Sequence, residues 1–270
     1  MPIHKFKNLE LFYRVYGEGD CVLLFIHGLG GNGNSWKHQL DYFRNKYPVI
    51  AVDLFGHGQS SKDVDPVFAP RIDAEAIYDL MRNKIEKPYF AVGHSFASFI
   101  IPEIIKLNDS NLKGAVFVDC AYQGHNDIIE ARVTFANSML NFSDAALQIE
   151  TRKWYREMIA ENPDEEEVAF ISSTLKDCNL RWLFRSVAGA REFSSRYPHT
   201  ETPVRDNLPV FIMEAENGIG DDLRRSWINH FKNAKYYLFE DGYHFFFITE
   251  HGKFNRLLDE FLNENSCRQR

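Results

Sequence analysis

The sequence predicts an α/β fold: a doubly wound, mostly parallel sheet carrying an inserted helical segment. Three observations lead to it. Short unbroken apolar runs recur along the chain, amphipathic stretches of helix length separate them, and one long central interval is helical in pattern without any such run.

Residues 3–7 and 10–16 alternate in polarity around Asn8, the pattern of an antiparallel hairpin. Val22-Leu23-Leu24-Phe25-Ile26 follows, apolar throughout, as expected of a strand buried on both faces of a parallel sheet. The pattern returns at 48–52, 88–92, 114–118, 209–213 and 235–239. Between these runs, 35–45, 71–86, 96–107, 222–231 and 251–263 have helical periodicity. Such alternation builds right-handed βαβ units. From Ala121 to Asn207 no strand is expected. That interval is rich in large aromatics: Phe135, Phe142, Trp154, Tyr155, Phe170, Trp182 and Phe184. The expected organisation is therefore a core in two parts, 1–120 and 208–270, with a helical cap at 121–207. The cap aromatics have two readings, contact with an apolar substrate or a core of the cap's own.

Composition narrows the function. At 270 residues, 44% hydrophobic and 26% charged, the chain has ordinary globular composition. A net charge of −7 without a Lys/Arg cluster argues against a nucleic-acid partner. The acidic run Asp164-Glu165-Glu166-Glu167 after Pro163 reads as a solvated helix start. Four scattered cysteines (Cys21, Cys120, Cys178, Cys267) without a CxxC pair suggest free thiols in a reducing compartment. MPIHKFKNLE lacks the apolar stretch of a signal peptide, and no segment reaches the ~20 apolar residues of a membrane span. The expectation is a cytoplasmic protein with no membrane partner; the oligomeric state is not legible.

In open α/β sheets ligands bind beyond the carboxyl ends of the strands. Three such ends carry chemistry. After residues 88–92 comes Gly93-His94-Ser95-Phe96-Ala97, a serine on a strand-to-helix turn with small neighbours where the backbones approach. After 235–239 comes Glu240-Asp241-Gly242-Tyr243-His244, a loop whose Gly242 would let His244 reach that serine as its base. After 22–26 comes His27-Gly28-Leu29-Gly30-Gly31. Acyl transfer needs two N–H donors for the oxyanion, here assigned to Phe96 and Leu29. His27, Gly28 and His94 are expected to line the substrate pocket.

HGLGG, then Asp53-Leu54-Phe55-Gly56-His57-Gly58-Gln59-Ser60, then GHSFA and the late GYH resemble, in that order, the α/β-hydrolase superfamily. The resemblance spans almost the whole chain outside the cap. It implies an α/β-hydrolase fold and a serine hydrolase of small acyl substrates, carboxylic esters above all, with lactones and thioesters close behind. It implies no cofactor, and it implies that the DLFGHGQS loop is mainly structural. Ala97 replaces the last glycine of the usual G-x-S-x-G.

The orienting acid departs from the pattern. Relatives usually carry it after the seventh strand, where this chain has Glu214-Ala215-Glu216-Asn217-Gly218, with Gly218 at the acid's place. Asp119, which ends the run GAVFVD as the acid does in many haloalkane dehalogenases, is the first candidate. Glu216 is the alternative, with Asp221, Asp222 or no acid at all behind it.

Other readings stand beside this one. Gly28-Leu29-Gly30-Gly31-Asn32-Gly33 matches G-x-G-x-x-G after a strand, and Asp53 follows where a ribose-binding acid would sit, as in a dinucleotide-binding oxidoreductase. Against it, the expected helix cap is Asn34 or Ser35, after the glycines have ended. A ligand receptor or cofactor-free oxygenase on the same fold is a further alternative. A metal centre from His27, His57 and His94 lacks the spacing and the anionic partner of a zinc set.

Overall fold

The computed structural model describes residues 2–120, 126–205, 207–218 and 224–265. Eight strands form one sheet: β1 (Ile3–Phe6), β2 (Leu9–Tyr16), β3 (Val22–Ile26), β4 (Val49–Val52), β5 (Tyr89–His94), β6 (Leu112–Val118), β7 (Val210–Asn217) and β8 (Lys235–Tyr243). Their spatial order is β1-β2-β4-β3-β5-β6-β7-β8. β1 and β2 pair antiparallel, as does β2 with β4, and all later pairs are parallel. The order reverses at β3, whose neighbours are β4 and β5, so the crevice of a doubly wound sheet opens above the carboxyl ends of β3 and β5.

The period-2 geometry of strands explains the apolar runs. Val22, Leu24, Ile26, Tyr89 and Ala91 face one layer. Leu23, Phe25, Phe90 and Val92 face the other. The first layer is covered by α2 (Ala69–Leu80), α3 (Ile100–Lys106) and α9 (Arg224–His230). The second is covered by α1 (Lys37–Phe43), α10 (Phe246–Thr249) and α11 (His251–Glu264). A central strand needs apolar side chains on both sides, and these runs supply them.

Between β6 and β7 lie α4 (Asn126–Leu140), α5 (Asp144–Glu157), α6 (Glu165–Thr174), α7 (Leu180–Ala188) and α8 (Ala190–Arg196). Side-chain caps start three of them. Ser143 accepts from Ala146 N–H, Asp164 from Glu166 N–H and Asn179 from Trp182 N–H. Asp164 caps α6 and Glu165–Glu167 fill its first turn, so the acidic run complements a helix N-terminus. Ala136, Met139, Leu147, Leu183 and Phe184 make a small core of this segment's own. Phe135, Trp154 and Phe184 pack against one another within it in tilted and edge-on pairs, at centroid distances of 5.2–6.0 Å. Phe142, by contrast, is exposed.

Three expectations need correction. The cap after HGLGG is Asn32, not Asn34 or Ser35. Its side chain accepts from Asn34 N–H in a reciprocal box with Ser35, and it opens a single 3-10 turn, Gly33–Trp36. The α-helix proper starts only at Lys37, so the glycine loop still does not lead directly into one. Next, β8 runs to Tyr243, so Gly242 lies in the strand and His244 is held at its end rather than on a pliant loop. Finally, Cys120 and Cys178 are free thiols, but Cys21 is disulfide-bonded to a partner outside the described residues. The expectation of four free thiols fails, and the argument for a reducing compartment goes with it. No helix among the described residues is long and apolar enough to cross a membrane.

Candidate active site

Ser95 follows β5 directly, with φ at 53°. That left-handed backbone is costly for a residue with a side chain and is the conformation of a serine held on a sharp strand-to-helix turn. Gly93 explains the tolerance for small residues there: a Cβ on it would lie 2.4 Å from the Ala97 Cβ and 2.7 Å from Ile101. Gly28, at the end of neighbouring β3, sits against the same turn. Its Cβ would meet His94 Nδ1 at 2.8 Å and the Ser95 Cβ at 2.9 Å.

His244, buried at the end of β8, pairs through Nδ1 with Asp119 Oδ2 at 2.5 Å. Asp119 follows β6, and its φ of 43° is again left-handed. Its backbone N–H donates to Met213 O at 2.8 Å, and its Oδ1 accepts from Ala215 N–H at 3.1 Å. The parallel register of β6 and β7, ending at Val118 beside Met213, thus anchors the carboxylate from two sides. Among the described residues no hydrogen bond joins Ser95 to His244. In sites without substrate such bonds are often long or misaligned.

Glu216 goes elsewhere. It is exposed, and its Oε2 accepts from Asp241 N–H at 2.9 Å, tying β7 to β8. Asp221 and Asp222 lie outside the described residues.

His94 is buried behind His244, ring centroids 4.3 Å apart, and its Nε2–H donates to the His244 carbonyl at 3.0 Å. Burial, with His244 alongside, pushes its pKa well below the usual histidine range. Gln39 secures the next turn, donating to Phe247 O at 2.8 Å and Asn255 Oδ1 at 3.0 Å. Nothing in the sequence singled out Gln39, because its partners lie more than 200 residues away.

The glycine loop is held from beneath by two histidines. His27 Nδ1–H donates to Gly28 O at 2.7 Å while its Nε2 accepts from Leu54 N–H at 2.9 Å. His57 Nε2 accepts from Gly30 N–H at 3.1 Å, and its Nδ1–H donates to Phe55 O at 3.0 Å. Both rings are fully buried. Burial lowers the His27 pKa to about 4 and that of His57 well below the usual value. Each is a neutral tautomer with both nitrogens engaged, so His27 lies under the loop rather than in a pocket. In a trans peptide C=O and N–H point oppositely, so fixing the Gly28 carbonyl also fixes the direction of the Leu29 N–H. From above, Tyr155 of α5 donates to the Leu29 carbonyl at 2.6 Å.

Gly28, Leu29 and His94 border a cavity of about 10 Å³ with Tyr155, Phe245 and Phe247, room for about one water. Phe96, the other expected oxyanion donor, opens the turn after Ser95 and is buried against Phe193 and Phe99.

Asp53 has no oxygen left for a ribose. It is fully buried, with Oδ1 taken by Arg14 at 2.6 Å and Gly33 N–H at 2.7 Å, and Oδ2 by Gln59 N–H at 2.9 Å. A Cβ on Gly58 would collide with it. The DLFGHGQS loop therefore wraps its own aspartate. Among the described residues no three His, Cys, Asp or Glu side chains are grouped as metal ligands.

Comparison with known proteins agrees with this frame. The family model described as "Alpha/beta hydrolase family" matches residues 23–257. Protein ABHD8 of Bos taurus is 41% identical over 81 residues, covering 29% of this chain and 19% of the relative. The 3-oxoadipate enol-lactonase 2 of Acinetobacter baylyi is 36% identical over 84 residues, 28% of this chain and 32% of the relative. The alignments thus span about a fifth to a third of these relatives. A thermophilic esterase from Thermogutta terrifontis superposes with a TM-score of 0.77 at 16% identity, over 97% of both chains, a likeness of fold.

Proposed function

Given that this chain belongs to the alpha/beta hydrolase family, we propose that it is a serine hydrolase cleaving a small carboxylic ester or a related acyl bond such as a lactone or thioester. The observation that carries the proposal is the buried 2.5 Å pair between His244 Nδ1 and Asp119. A carboxylate on Nδ1 leaves Nε2 free to act as base, and the serine on the strained turn after β5 is the group for it to act on. The lactonase and esterase among the similar proteins favour acyl substrates.

In the proposed mechanism His244 Nε2 takes the Ser95 proton as Oγ attacks the carbonyl carbon. Asp119 holds the ring in the required tautomer and stabilises the imidazolium. The Leu29 and Phe96 amides receive the oxyanion, each such donor contributing on the order of 10²–10³ in rate. His244 then protonates the leaving group, and water, deprotonated by the same imidazole, releases the acyl group from Ser95. The reaction needs no cofactor. Helices α4–α8 act as a cap over the crevice.

The test is labelling with a fluorophosphonate. Labelling of the native chain, lost in Ser95→Ala and much reduced in His244→Ala, is the expected result. A folded native protein that does not label would overturn the hydrolase reading in favour of a ligand receptor.

A further inference from the structure

We propose that the helical segment holds a second binding site, for a small organic carboxylate with a short apolar body, between α5 and the turn that joins α6 to α7. A cavity of about 170 Å³ lies there. That is the size class of an engineered protein cavity of about 150 Å³ that holds benzene. Its walls are of two kinds. Leu175 and Leu180 give it an apolar side, and Gln148, Arg152, Ser172 and Lys176 give it a polar one.

Two cations stand on its polar side. On α5 itself the other two basic side chains are matched, Lys153 with Glu150 and Arg156 with Glu165. Arg152 and Lys176, which face this cavity, have no carboxylate partner among the described residues. Two unneutralised cations, an amide and a hydroxyl at the mouth of a half-apolar cavity suit an anionic head on an apolar stem. The site adjoins the glycine loop, where a Cβ on Gly30 would lie 2.7 Å from Leu175, but neither Ser95 nor His244 lines it. Tyr155, one turn beyond Arg152 on α5, reaches the Leu29 carbonyl instead.

Calorimetric titration of the full chain with hexanoate tests the proposal without relying on turnover, so it stands or falls apart from the hydrolase reading. Saturable one-to-one binding is expected, weakened about tenfold or more in each of Arg152→Gln and Lys176→Gln, since each removes a charge-assisted contact. Both side chains are exposed, so the variants should fold. Hexylammonium should not bind, and inorganic phosphate should bind at least about tenfold more weakly than hexanoate for want of apolar burial. No saturation at millimolar hexanoate, unchanged affinity in the double variant, or phosphate equal to hexanoate would each overturn it.

Discussion

Asp119 occupies the space that a side chain at Gly218 would need: a Cβ there would lie 2.3 Å from Oδ1 and 2.4 Å from Oδ2. The carboxylate beside His244 and the glycine in the following strand's loop are therefore one arrangement. With Asp119 placed as it is, position 218 has no room for a side chain.

Asp119→Asn should lower turnover of an activated ester by about 10⁴, the scale seen when a serine protease loses its orienting aspartate. Glu216→Gln should leave it within a few-fold, because Glu216 serves the Asp241 amide. Gly218→Ala should displace the carboxylate, reducing turnover and costing about 1–3 kcal/mol of stability as overpacking does. Steady-state kinetics with thermal denaturation of the three variants checks the set. Normal turnover in Asp119→Asn would end the assignment.

Much of this was legible in the sequence, and the exceptions share a cause. The central strands were readable because both faces are buried, and Ser95 and His244 stood out because ligands bind beyond strand ends. That Asp119 rather than Glu216 pairs with His244 depends on the register of β6 against β7, which no local pattern encodes. His27 was expected in the pocket, yet it pins the loop from below, since its partner Leu54 N–H lies on a different strand's end. Tyr155 stood among seven cap aromatics with nothing to mark it as the one that reaches Leu29.

His27 makes stability depend on pH in a defined direction. Its folded pKa of about 4 lies below the ordinary 6.5, so between these values the unfolded chain binds the extra proton. Its contribution is intact above pH 6.5 and is lost as pH falls toward 4. The loss between pH 7.5 and 5 is about 2 kcal/mol from this group. Urea unfolding of native protein and His27→Asn at the two pH values should show a steeper decline for the native chain. Equal declines would refute it.

Tyr155→Phe removes the hydroxyl that donates to the Leu29 carbonyl while keeping the ring. The expected cost is about 1–2 kcal/mol of stability. If that contact also steadies the oxyanion loop, kcat should fall several-fold with KM little changed. A change confined to KM would assign Tyr155 to substrate binding alone.

Asp73 predicts a stabilising substitution. It is fully buried on α2, with Oδ1 accepting from Phe55 N–H at 2.9 Å and Oδ2 without a partner among the described residues. Burial raises its pKa well above 3.8, so above that pH the unfolded chain gains by releasing a proton that the folded one retains. The penalty grows with pH until the folded carboxyl itself ionises. Asparagine keeps the shape and the acceptor for Phe55 without the titration. Asp73→Asn should therefore unfold at higher urea than the native chain at pH 7.5, with the gain shrinking toward pH 4. A variant less stable at both pH values would mean that the carboxyl proton has a partner the amide cannot replace.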